Sequence, residues 1–164
     1  MAVTAAELIK TQVARFVDRR GDWDAFADAR EEGYRRAQHR FIGSGASGKS
    51  DANVIPAEHF TLSVMFVPVG QGNAAHTHEV EEVFFVLQGK VMVFFEDGAG
   101  HRAEATLGPW DCVSCPAGAS HGYHNVGLEP AYMQVMLGKG RPDLMSYQDA
   151  ELQRRRDAHL VTPG

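Results

Sequence analysis

Between Phe60 and Leu137 the chain breaks into eight short apolar runs, and this rhythm limits the folds open to it. The runs are 60–68, 74–78, 82–87, 91–96, 102–106, 111–115, 120–126 and 131–137, with Gly70, Gly72, Gly89, Gly98, Gly100, Gly118 and Gly127 between them. Strands of this length, separated by turn residues, predict an all-β sandwich or barrel. Val83–Leu87 and Val91–Phe95 are apolar on both faces. One face fills the barrel, and the other must meet helices, a partner sheet or a second subunit. A homodimer follows as the expected state.

Histidines and a glutamate stand in phase within these runs. His76 and His78 are two apart, and a strand points such residues to one face. Glu82 shares the phase of Phe84 and Val86 on the next run, so its carboxylate can reach the same point. Glu81 shares the opposite phase with Val83 and Phe85, and Glu79 falls in the turn. The stretch Pro116-Ala-Gly-Ala-Ser-His121-Gly-Tyr-His-Asn125 offers a third imidazole. His124, three residues on, takes the other face and reads as a surface or interface residue. Three histidines and one carboxylate suit a divalent transition metal: Fe, Mn, Ni, Cu or Zn.

These two stretches resemble the paired signature motifs of the cupin superfamily. The first matches at Gly70, His76, His78, Glu82 and Gly89, and the second at Pro116, Gly118, His121 and Asn125. The leading glycine of the second motif falls on Trp110. The resemblance spans roughly residues 58–138. It implies a double-stranded β-helix, a jelly-roll barrel, with His76, His78, Glu82 and His121 as metal ligands.

The flanking sequence predicts four segments: helices over 1–42, a Gly/Ser-rich linker at 43–57, the barrel at 58–140 and a tail at 141–164. Thr4 and Glu7 fit a capping box for a helix through residue 18, with Leu8, Ile9, Val13, Phe16 and Val17 as its apolar face. Asp24 can cap a second helix to about Gln38. Gln153–Asp157 reads as a solvated C-terminal helix. Residues 43–50, Gly-Ser-Gly-Ala-Ser-Gly-Lys-Ser, match a P-loop formally, but that loop needs a strand before it and a helix after it. With a charged helical segment before it and Pro56 after it, the match reads as a linker.

Several function classes are excluded at this level. The formal net charge of −5 gives no electrostatic case for nucleic acid or an acidic membrane. The N-terminus lacks the basic-then-apolar pattern of a signal peptide, and no apolar run is long enough to span a bilayer, so a cytoplasmic protein is expected. Cys112 and Cys115 form a C-x-x-C with no helix after it, and residues three apart on a strand face opposite ways; packed thiols are expected.

Four protein ligands leave two adjacent positions on a six-coordinate ion, and three imidazoles with one carboxylate leave a divalent ion a net charge of about +1. A bidentate monoanion is the natural guest. Between Phe60 and Leu137 the only Lys or Arg residues are Lys90 and Arg102, both read as turn residues, although Arg35, Arg36 or Arg40 can still reach the mouth from the N-terminal region. Phe84, Val86, Tyr123, Met133 and Met136 form the expected pocket wall. This apolar lining favours an aromatic or dicarbonyl substrate over a sugar phosphate. The reading is a metal-dependent cupin enzyme: an Fe(II)-dependent dioxygenase using O2, or else a redox-neutral isomerase, decarboxylase or lyase, or a non-catalytic ligand-binding module. Glu82 and Tyr123 are the catalytic candidates, and His59 is a weaker proton donor.

Overall fold

The computed structural model describes residues 4–49, 51 and 53–159. Two five-stranded sheets face each other. Their strands are β1 (Ala37–Ile42), β2 (Thr61–Val67), β3 (His76–Thr77), β4 (Glu82–Gln88), β5 (Val91–Glu96), β6 (Arg102–Leu107), β7 (Cys112–Cys115), β8 (Ser120–Asn125), β9 (Ala131–Leu137) and β10 (Ser146–Tyr147). One sheet runs β1-β2-β9-β4-β7 and the other β10-β3-β8-β5-β6. All pairings between these strands are antiparallel, so the architecture is the expected jelly-roll barrel.

Period-2 alternation builds the interior. In β2, Thr61, Ser63, Met65 and Val67 point inward; in β9, Ala131, Met133, Val135 and Leu137 do. With Phe84, Val86, Val91, Val93, Cys115 and Tyr123 they fill the barrel. Burial of one such aliphatic or aromatic side chain contributes about 2 kcal/mol. At the β4–β5 hairpin, Gly89 has φ 87°, and a Cβ there would lie 2.9 Å from the Ala131 Cα. Glycine is required there by both conformation and space.

A second apolar cluster closes one end of the barrel. It joins Ala74, Met145, Tyr147 and Leu152 to Phe26, Ala27 and Tyr34. Leu152 belongs to the C-terminal helix (Ala150–His159), which docks through this residue, with Arg156 donating to the Leu144 carbonyl and Arg155 pairing with Glu31. The N-terminal helix, α1 (Ala5–Gln12), has the expected capping box. It stops at Val13, where the backbone turns extended, and buries none of its residues. A 3-10 turn at Phe16–Asp18 follows, and Phe16 packs on His39 and Tyr132.

The helix expected from Asp24 to Gln38 does not form. Turns occupy residues 23–33, Gly33 takes φ 88°, and β1 begins at Ala37. Two long-range demands override helical propensity. Asp28 is held by Arg36, Tyr147 and the Ala74 amide, and Gln38 bridges Asp22 before β1 pairs with β2. The segment after β1 is also not a free linker. Gly45, Ala46 and Ser47 are buried in a 3-10 turn, and Ser47 Oγ accepts from Arg40. A strand thus precedes the P-loop-like sequence, contrary to expectation. No helix follows it directly among the described residues, and Lys49 Nζ donates to the Asp24 carbonyl at 2.6 Å. No helix among the described residues is long and apolar enough to cross a membrane.

Candidate metal centre

Strand pairing assembles the four ligands. His76 lies on β3 opposite His121 of β8, His78 follows directly after β3, and Glu82 opens β4. Their donor atoms all fall within 4.8 Å of one another, and all four side chains are buried. Glu82 Oε2 sits 3.5 Å from His76 Nε2, 3.2 Å from His78 Nε2 and 2.9 Å from His121 Nε2. The Nδ1 atoms of His76 and His121 lie 2.9 and 2.8 Å from the carbonyls of Ala74 and Ala119. With Nδ1 donating to these carbonyls, each ring would present an Nε2 lone pair to an ion at the common point once Nε2 gives up its proton, the arrangement that orients imidazole ligands.

The donor set fits a divalent ion on this structure's own terms. Both ring nitrogens of His78 are buried without a hydrogen-bond partner: the 3.2 Å approach to Glu82 is close enough for ion pairing but poorly directed. A buried unpaired polar group is costly, and a coordinated ion supplies the partner that His78 Nε2 lacks. Burial pushes the Glu82 carboxyl up, but the His78 charge and hydrogen bonding from His121 and His76 hold it well below the usual range. Burial lowers His121, yet Cys115 and Glu82 raise it to about 9. At His76 burial dominates and lowers the pKa, so this ring is neutral at pH 7.

The competing residues are engaged elsewhere. Glu79 binds Lys139 and the Asp143 amide, and Glu81 accepts from Ser114 Oγ. His124 packs on the other face against Phe94 and Tyr34. His59 is exposed beside Glu58, far too solvated to serve a buried centre. Cys112 and Cys115 are free and face opposite ways, as expected. Only Cys115 is a packed thiol; Cys112 is exposed.

A cavity of about 20 Å³ adjoins the cluster, lined by His76, Glu82, Phe84, Tyr123, Gln38 and Ser63, with Arg36, Phe26 and Met145 closing it. It has room for one water-sized group. Phe84 and Tyr123 occupy the expected wall. Val86 and Met133 lie fully buried in the barrel core and do not line this cavity, whereas Met136 is half-buried on the opposite face of β9. Residue parity explains the Met136 correction, since 133 and 136 differ by an odd number.

No cation reaches the cavity from residues 60–137, but one does from the N-terminal region, the route left open by Arg35, Arg36 and Arg40. Arg36 is sealed at the cavity and Arg40 points inward from β1, while Arg102 belongs to β6, stacked over Phe94. Both inward arginines are paired, Arg36 with Asp28 at 2.8 Å and Arg40 with Asp22 at 2.6 Å. Burial would raise the Asp28 carboxyl, but Arg36, the Ala74 amide and Tyr147 hold it below its ordinary value. Burial raises Tyr123 strongly despite the opposing charge of Arg36, so its phenol keeps its proton. The helical reading of residues 24–38 hid Asp28 and Gln38, though not Arg36; the in-phase spacing of Gln38 and Arg40 was the available signal.

Comparison with known proteins agrees with this geometry. The family model described as "Cupin domain" matches residues 63–137, which hold all four ligands. A cupin 2 domain-containing protein from Halorhodospira halophila superposes with a TM-score of 0.54 at 22% identity, over 76% of this chain and 77% of that one. Lactobacillus farciminis oxalate decarboxylase, in its formate complex, gives a TM-score of 0.59 at 18% identity over 79% of this chain. The match covers only 33% of that longer enzyme, a likeness of fold alone. A Thermus thermophilus protein is 30% identical over 52% of this chain and 78% of its own, with a TM-score of 0.46. No curated protein matches the chain. With the barrel, both motifs and the family model in agreement, the chain belongs to the cupin superfamily.

Proposed function

We propose that this protein is a metal-dependent enzyme that chelates a small dicarbonyl monoanion, such as an α-keto acid, and that with Fe(II) it acts as a dioxygenase. The observation that carries the reading is the sealed cluster of three imidazoles and one carboxylate facing a cavity of about 20 Å³. His76, His78, Glu82 and His121 would hold the ion. When bound, it supplies Lewis acidity to a chelated carbonyl oxygen and, as iron, access to O2 chemistry. The cavity admits only a water-sized group projecting from a chelated acid, which favours a compact dicarbonyl over an aromatic ring.

The chain's own groups do the rest. Phe26, Phe84 and Met145 exclude water from the chelating face. Tyr123, protonated and fixed between Phe84 and Arg36, can donate a hydrogen bond to a substrate oxygen but cannot act as a base at neutral pH. Placement of the protonated Tyr123 at the cavity supports a second reading, redox-neutral decarboxylation or isomerisation of the same class of anion, where a phenol hydrogen bond would stabilise developing negative charge.

Metal analysis of protein purified without added metal, followed by an oxygen electrode, tests both. The Fe(II) form should consume O2 with at least one α-keto acid or β-dicarbonyl. A flat electrode combined with anaerobic turnover would transfer the assignment to the redox-neutral reading. Absence of bound divalent metal at full folding would remove both.

A further inference from the structure

Gln38 is 2% exposed, lines the cavity beside the metal cluster, and leaves its Oε1 without any hydrogen-bond partner. Its Nε2 makes only a long contact, 3.5 Å, to Ser63 Oγ. An amide oxygen orphaned at this depth is costly. The amide is also wedged in place, since a Cβ on Gly45 would come within 2.7 Å of Nε2. A positioned, unsatisfied polar group beside a small cavity is what a ligand-recognition contact requires before its ligand arrives.

The charge around it restricts what that ligand can be. Arg36 donates from Nη1 to the carbonyls of Tyr34 and Gly72 and from Nη2 to Asp28, whose carboxylate balances its charge. A second carboxylate reaching this end of the cavity would find no free cation. A neutral hydroxyl would be matched: it can donate to Gln38 Oε1, or accept from the amide nitrogen if the amide is turned over, and Ser63 Oγ is within the same set.

Given chelation at the neighbouring cluster, we infer that Gln38, supported by Ser63, is a specificity contact for a neutral hydroxyl at the far end of the chelated monoanion. The substrate class narrows to compact hydroxyl-bearing keto or hydroxy acids.

Cobalt(II)-loaded protein reports chelation through its visible d–d bands, without turnover. Titration with pyruvate and with hydroxypyruvate, which share the chelating atoms and differ by the terminal hydroxyl, isolates the contact. Both should shift the bands, with hydroxypyruvate binding about tenfold more tightly. In Gln38→Leu that preference should fall to about unity while pyruvate affinity stays within about twofold. Ser63→Ala should narrow the preference in the same direction, and it carries the test if Gln38→Leu does not fold. Equal affinities in the unaltered protein, as when a water alone satisfies Gln38, would overturn the hydroxyl contact and leave chelation standing. So would a preference that persists in both variants. Bands that ignore both acids would overturn chelation itself and this contact with it.

Discussion

Arg36 donates to Asp28 across 2.8 Å with both side chains almost wholly sealed from solvent, and the same arginine closes the cavity beside the metal cluster. Asp28 also accepts from Tyr147 and from the Ala74 amide, so one carboxylate ties residues 28, 36, 74 and 147 together. Removing one member of a buried pair strands the other charge at a cost of about 3–5 kcal/mol. Asp28→Asn should lose stability on this scale in urea unfolding, with metal-site absorption disturbed less than folding.

Acid should weaken the same pair. Asp28 has a folded-state pKa below its ordinary 3.8, so its stabilisation is present above that value and is lost as the pH falls through the folded pKa. Urea midpoints measured from pH 7 down to pH 3 should drop more steeply below about pH 4 for the unaltered protein than for Asp28→Asn.

Metal occupancy should separate the histidines by face. His78→Ala and His121→Ala should cut bound metal sharply, because each removes one of the four convergent donors. His124→Ala should leave occupancy intact, since that ring stacks on Phe94 on the other face. Elemental analysis decides the matter, and equal losses at His121 and His124 would reverse the assignment.

Trp110 is the one described non-glycine residue with positive φ, at 75°, and it is largely exposed. It follows Pro109 in a turn closed by Asp111 N donating to the Gly108 carbonyl, the position where a type II turn favours glycine. An edge contact with Phe85 offsets only part of the strain. Trp110→Gly should therefore raise stability by about 1 kcal/mol, read as a higher Tm.

Lys49 should be irrelevant to nucleotides. Its ammonium is held by the Asp24 carbonyl, and the 3-10 turn before it offers no phosphate cradle. Calorimetry with millimolar ATP or GTP should show no saturable heat, and Lys49→Ala should behave identically.

The ligands were legible because local rules placed them. His76 and His78 obey strand parity, and Glu82 keeps phase with Phe84, so a short loop suffices to bring three donors together. The Thr4–Glu7 cap was legible for the same reason. Residues 24–38 were not, because their conformation answers to Ala74 and Tyr147, distant in sequence. Gln38 and Arg40 reverse the usual rule by pointing polar groups inward on β1, which apolar patterning cannot reveal. Met136 shows the complementary limit: apolar character alone does not say which face a strand residue takes.

Met145, wedged over the cavity by Tyr147 and Leu152, has a kinetic meaning. If the centre meets solvent only when this strap lifts, traffic in either direction is metered by the chain's own opening rate. A chelator in large excess would then strip the metal at a speed independent of chelator concentration. On that condition the strap would act as a clock that every visitor must wait for, whatever its affinity.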